Sequence, residues 1–257
     1  MKALWKGSLS FGLVNIPIRL YSATEQKTVG FKMLCRTCHS PLQYKRWCPH
    51  CEKEVTWDNI VKGLEIKKGA YFVITKEKIE ALRPTKTDTI EIIEFIKKET
   101  IDPIYFATHY YIGPQKEKDK AYYLLKKTLE TSNKFAIGRF VMRDKDYICA
   151  IEAYKTGLLL TTLNYTYEIR DITKIAELAV AAPTLKKDEL KLANDLIKKM
   201  TKKTFDMAKF KDTFAQELKK LIKKAVKGKK IEKIKAEKPK KIEKRQNLME
   251  ALRASIH

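Results

Sequence analysis

Nowhere in the sequence is there a run of about 18 or more apolar residues, so no stretch is long enough to cross a bilayer as a helix. No signal peptide or lipidation motif is read, and Met1-Lys2-Ala3-Leu4-Trp5-Lys6 leads straight into a strand pattern. These absences predict an intracellular protein with no membrane partner, in a compartment where cysteines stay reduced. Histidine is scarce: of four, His39 and His50 lie among cysteines, His257 is terminal and His109 sits alone in a strand pattern. There is no phosphate-binding glycine loop and no nucleophile–base pairing, which argues against an enzyme. There is also no base-reading helix-turn-helix and no repeated finger. Acidic residues are in deficit: 31 Asp and Glu face 54 Lys and Arg, a formal net charge of +23. That excess is far beyond what solubility needs and implies a polyanionic partner.

Apolar residues make up 44% of the chain and aromatics 10%, enough for a sizeable core and too much for general disorder. Four of the five cysteines fall in residues 31–57, as Cys35-x2-Cys38 and Cys48-x2-Cys51. Two such turns present paired thiolates to one point, which suits one structural zinc per chain, tetrahedral and closed to water. Its ligands would be Cys35, Cys38, Cys48 and Cys51, with His39 and His50 as bystanders. A reduced or disulfide-paired cluster and a redox motif are the alternatives. The span between the turns is expected to fold back as a hairpin bearing Lys45 and Arg46 beside Tyr44 and Trp47, which suits a phosphate backbone or simply solvent. Cys149, in an apolar run, reads as core.

Residues 8–21 read as two strands, or one broken by a bulge at Pro17. Residues 61–65 and 71–74 read as strands, the second short and buried. A brief helix over 76–82 stops before Arg83-Pro84. Strands are expected at 89–96 and 109–112. Over 119–131 a helix places Ala121, Tyr122, Leu124, Leu125 and Leu129 on one face. Three strands follow at 135–142, 147–154 and 158–165, separated by the turns at 143–146 and 155–157. Many short strands with one helix among them suggest a β-barrel over residues 1–183. Beyond Pro183 the chain turns helical and lysine-rich. Narrow apolar stripes at 185–200 and 214–226 have no third helix to close a bundle, so the arm at 184–228 is expected to pack on something already folded. Residues 229–257 read as a basic flexible tail, with eleven Lys and Arg against four Glu from Lys227 onward. It closes on an amphipathic segment carrying Leu248, Met249, Leu252 and Ile256, suited to a partner's groove.

Residues 1–24, 60–75, 89–111 and 188–199 resemble the prokaryotic Ku proteins of non-homologous end joining. The resemblance covers most of residues 1–226. It implies a mixed β/α fold with a Ku/SPOC-like β-barrel core, a zinc-ribbon-like insert, a C-terminal helical dimerisation arm and a basic tail. It further implies a homodimeric ring threaded by double-stranded DNA ends, an arm that wraps the partner subunit, and a nucleoid-associated cytoplasmic location. The closing segment resembles the motif associated with recruiting an ATP-dependent end-joining DNA ligase. Many family members lack one or both Cys-x2-Cys pairs, so the resemblance implies that zinc stiffens the insert without being the source of DNA binding.

Charge and motif content independently favour sequence-independent phosphate contact. The candidate DNA contacts are Arg36, Lys45 and Arg46 on the insert, Lys62, Lys67 and Lys68 after it, and Arg143 and Lys145 at a strand turn. The competing reading is a monomeric zinc-ribbon protein that binds RNA or joins a transcription complex. It accounts for the cysteines and the charge, but not for an arm without a bundle.

Overall fold

The computed structural model describes residues 1–27, 29–82 and 88–226, together with Met249, Leu252 and Ser255. It divides into two compact units: Met1–Lys27 with Phe31–Arg170, and Thr28–Gly30 with Asp171–His257. Among the described residues the first unit contains eleven strands. They are β1 (Trp5–Phe11), β2 (Val14–Ser22), β3 (Trp47–Cys48), β4 (Lys53–Glu54), β5 (Lys62–Lys67), β6 (Ala70–Ile74), β7 (Thr89–Lys97), β8 (Phe106–Pro114), β9 (Lys134–Met142), β10 (Lys145–Tyr154) and β11 (Gly157–Leu163). Helices α1 (Lys76–Ala81) and α2 (Lys120–Ser132) also belong to it.

Seven strands close a barrel in the order β1-β2-β8-β11-β10-β9-β7. Every neighbouring pair is antiparallel except the seam, where β1 and β7 run parallel through Ser8↔Thr89, Leu9↔Ile90 and Ser10↔Glu91. The period-2 alternation of each strand points one set of side chains inward. Leu9, Ile18, Leu20, Ile90, Ile151 and Leu160 are all fully buried there. Each is worth roughly 1.5–3 kcal/mol of burial. Pro17 lies within β2 and not at a bulge. Its carbonyl accepts from Gln115 N at 3.0 Å, one residue beyond the end of β8 at Pro114, so Pro17 sits where the β2–β8 ladder stops.

Helix α2 closes one end of the barrel. Asp119 caps it by accepting from Tyr122 N, and Asn133 ends it in the left-handed region at φ 51°. Tyr122, Leu125 and Leu129 join the barrel core, whereas Leu124, expected on the same face, is exposed. The Tyr122 hydroxyl donates to Ile112 O at 2.6 Å and accepts from Leu158 N at 3.0 Å, tying the helix to two strands. Burial pushes that phenol up to about 12. Cys149 is core as expected, and burial pushes its thiol up. A register shift between Thr161 and Leu163 leaves Thr162 in the β8–β11 ladder gap, where its hydroxyl accepts from Thr108 N and donates to Thr108 O. That satisfies a buried polar group.

Strand β6 corrects an expectation. It is not buried: β5 and β6 form a separate two-stranded sheet in which every residue but Ile74 is exposed. Apolar composition called for burial, but the barrel is already closed and offers these strands no edge.

The second unit holds α3 (Lys187–Met200) and α4 (Thr213–Val226), preceded by single 3-10 turns. Neither helix buries a residue, and Leu190, Ile197, Met200, Phe214 and Ile222 are exposed along their stripes. Met249 and Leu252 are helical and half-buried, while Leu248 and Ile256 lie outside the described residues.

Candidate nucleic-acid interface

The insert is built as two small turns. Leu34 bridges Pro41 around Cys35 and Cys38, and β3 pairs with β4 around Cys48 and Cys51. The expected single hairpin between the two cysteine pairs is replaced by one tiny hairpin around each pair, because each turn closes its own backbone bonds. His39 donates its N–H to Cys35 O at 2.8 Å, and Cys35 donates its own to Ser40 O at 2.9 Å. The residue after each pair, His39 and Glu52, takes the left-handed conformation at φ 56° and 47°. Backbone strain of this kind recurring at matching positions marks two copies of one turn.

Within each turn the thiols face each other. Hydrogen bonds from Ser40 and Cys35 lower the Cys38 thiol to about 7. The N–H of Cys51 and then its side chain, with the N–H of His50, lower Cys48, while Cys51 is raised by the neighbouring Cys48. The four-thiol donor set has the chemistry of a structural zinc site. Yet among the described residues no three His, Cys, Asp or Glu side chains gather closely enough to hold a metal. The structure brings the thiols together in pairs and does not bring the pairs together.

The eight basic candidates occupy three places. On the insert, Arg36 is exposed at the first turn, and Lys45 binds Glu54 at 2.8 Å, a hydrogen bond that raises its ammonium. The Arg46 guanidinium lies 3.5 Å from the Trp57 ring centroid, a cation–π contact that ties the second turn to the segment leading into β5. On the β5–β6 hairpin, Lys62 and Lys67 end β5 and Lys68 sits in its turn, all exposed. Gly69 takes φ 81° there, a conformation that favours glycine, and its N–H is held by Glu65. On the barrel, Arg143 and Asp144 form the two-residue β9–β10 turn at φ 51° and 63°. Lys145 follows, bound to Glu168 at 3.2 Å and lying 5.4 Å from the Tyr147 ring centroid. Glu168 raises its ammonium. Lys45 and Lys145 therefore carry partners that a phosphate would have to displace.

Two features escaped sequence reasoning. Arg139 grips Asp146 across β9 and β10, so a strand arginine near the turn is spoken for. Arg19 Nε, in contrast, is buried without a hydrogen-bond partner on β2. Its only signal in the sequence is a cation between Ile18 and Leu20 in an alternating strand, which places it on the outer face.

A closed seven-stranded barrel with a detached hairpin and a basic surface narrows the choice of relatives. The family model described as the Ku70/Ku80 beta-barrel domain matches residues 10–192. The chain belongs to the Ku family. A protein named non-homologous end joining protein Ku from Heliobacterium modesticaldum is 38% identical over 256 residues, covering 100% of this chain and 91% of the relative. One of the same name from Archaeoglobus fulgidus is 38% identical, covering 100% of this chain and 98% of its own. The Bacillus subtilis relative is 37% identical over 219 residues, 85% of this chain and 70% of its own length. The Ku barrel expected from the sequence is thus the barrel observed. The monomeric zinc-ribbon reading finds no support in these comparisons. Among the described residues no helix is long and apolar enough to cross a membrane.

Proposed function

We propose that this chain binds the ends of double-stranded DNA without regard to sequence, as a homodimeric ring, in non-homologous end joining. Its role is to hold DNA, not to transform it. The observation that carries this reading is the β5–β6 hairpin. A two-stranded sheet with neither face covered is marginal in water, yet Leu64 and Phe72 are 67% and 49% exposed on it. Such a sheet needs another surface, and a second copy supplies one with the same need. Two barrels joined by two hairpins make a closed loop, with Lys62, Lys67 and Lys68 on the joining strands.

A ring retains DNA by enclosure, so individual lysine–phosphate contacts can stay weak and sequence-blind. Arg36, Arg46 and Arg143 supply further positive charge, with Lys45 and Lys145 contributing once released from Glu54 and Glu168. Residues 1–183 would form the barrel and its bridge. The arm at 184–228 would cover its apolar stripes on the partner subunit, and the tail at 229–257 would recruit an ATP-dependent ligase through Leu248, Met249, Leu252 and Ile256. The thiols of Cys35, Cys38, Cys48 and Cys51 would hold one zinc. Bound there, a metal would crosslink the two turns; the backbone N–H groups of Cys51 and His50 lower the Cys48 thiol in the direction that favours thiolate ligation.

The test is competition between linear duplex and covalently closed circles of identical sequence at moderate salt. Linear DNA is expected to bind and closed circles to compete poorly. Equal competition by both would overturn the ring.

A further inference from the structure

The exposed apolar hairpin and arm are accounted for by the dimer, but one constellation is not. Five of the chain's twelve tyrosines, Tyr21, Tyr111, Tyr122, Tyr123 and Tyr154, line a single cavity of about 350 Å³. It lies on the barrel where β2 and β8 meet the β10–β11 turn and the start of α2. Its size is at the lower end of the about 300–1,000 Å³ of small-molecule pockets, room for one flat ring system.

The walls are differentiated. Tyr122 is immobile because its hydroxyl is committed to Ile112 O and Leu158 N. Tyr123 stands edge-on to it, with centroids 5.3 Å apart at 86°. Tyr111 and Tyr154 lie nearly parallel, with centroids 6.0 Å apart at 22°. The Tyr21 ring lies over Gly113, where a Cβ would come within 3.2 Å of it. Tyr123 and Tyr154 are exposed, and Tyr21 and Tyr111 half-buried, so ring surface remains open to a ligand. Among the residues lining the cavity one is charged, Lys155, whose ammonium lies 5.3 Å from the Tyr154 centroid.

We propose that this tyrosine cavity is a stacking site for an unpaired base at a DNA end. The inference rests on the DNA-end reading above and extends it from the duplex to its overhang. Aromatic rings beside a cation bind any base by its π-face while the cation meets the phosphate, which suits a sequence-blind protein. A peptide adding itself as a strand is the less suitable occupant. Strands β2, β8, β10 and β11 are each paired on both sides within the closed barrel and offer no free edge.

Full-length protein is titrated with a short blunt duplex and with the same duplex bearing a short unpaired thymine overhang. Wild type is expected to prefer the overhang. Tyr111→Ala with Tyr154→Ala should lower overhang affinity by about tenfold or more, leaving blunt affinity within about twofold. Tyr111→Phe with Tyr154→Phe keeps the rings and should behave as wild type. Lys155→Gly suits the local φ of 48° and so should fold, while weakening overhang binding several-fold. It decides the matter if the double alanine variant does not fold. No overhang preference in wild type, or equal losses on both DNAs, overturns the assignment. So does loss of ligase stimulation with both DNA affinities intact, which would give the cavity to a protein segment. Failure of the ring reading registers separately, as equal competition by closed circles.

Discussion

The barrel and the β5–β6 hairpin are made of the same kinds of residue and meet opposite fates. Ile16, Ile18 and Leu20 on β2 are buried, while Leu64, Ile66, Tyr71 and Val73 on the hairpin are exposed. Composition does not separate them; closure does. Seven strands that return to their own first edge enclose a volume, and α2 seals it. Two strands enclose nothing. Apolar residues on an unclosed sheet therefore point outward, in need of a surface that the sheet itself does not supply.

The largest effect that would sharpen this contrast is in the barrel. Phe140 is 1% exposed, against Trp5 and Tyr147. Phe140→Ala should cost about 3–5 kcal/mol in urea unfolding. Smaller, and specific to the seal, is Tyr122→Phe. It leaves Ile112 O and Leu158 N without their hydroxyl partner and should cost about 1–3 kcal/mol. The same site sets a pH limit. Folding raises the Tyr122 phenol to about 12 and raises the Cys149 thiol, both chiefly by burial. Groups held neutral in this way contribute fully below their unfolded values and lose that contribution as pH rises. Stability should accordingly fall on the alkaline side, from the ordinary thiol range upward through the raised phenol range, and denaturant midpoints measured across it would check the sign.

The smallest effect on the barrel should come from the hairpin. Leu64→Ser with Phe72→Ser removes exposed apolar surface, so barrel unfolding should move by no more than about 0.5 kcal/mol per site. Sedimentation should nevertheless report single chains in place of dimers. A loss comparable to that of Phe140→Ala would break the comparison and make the hairpin part of the core.

Much of this was legible in the sequence. Alternation located the barrel strands, and the α2 periodicity found Tyr122, Leu125 and Leu129, because period and burial coincide wherever an element has one covered face. The cysteine spacing marked two turns, and a net charge of +23 marked a polyanionic partner. Three things lay beyond it. Tyr71, Phe72 and Val73 are exposed where their apolar run predicts burial, since such a run records a need for cover and not whether the chain itself provides it. Lys45 and Lys145 read as free cations but are paired with Glu54 and Glu168, partners 9 and 23 residues away. The five tyrosines around one cavity come from positions 21 to 154 and converge only because β2, β8 and the β10–β11 turn are neighbours around the barrel. Local conformation and total charge follow from the order and kinds of residues alone, because they depend on near neighbours and on composition. Which apolar faces are covered and which rings meet were decided by closure of the barrel, and which cations are paired by tertiary folding of the insert and of the barrel turns, because these depend on contacts beyond near neighbours in the chain.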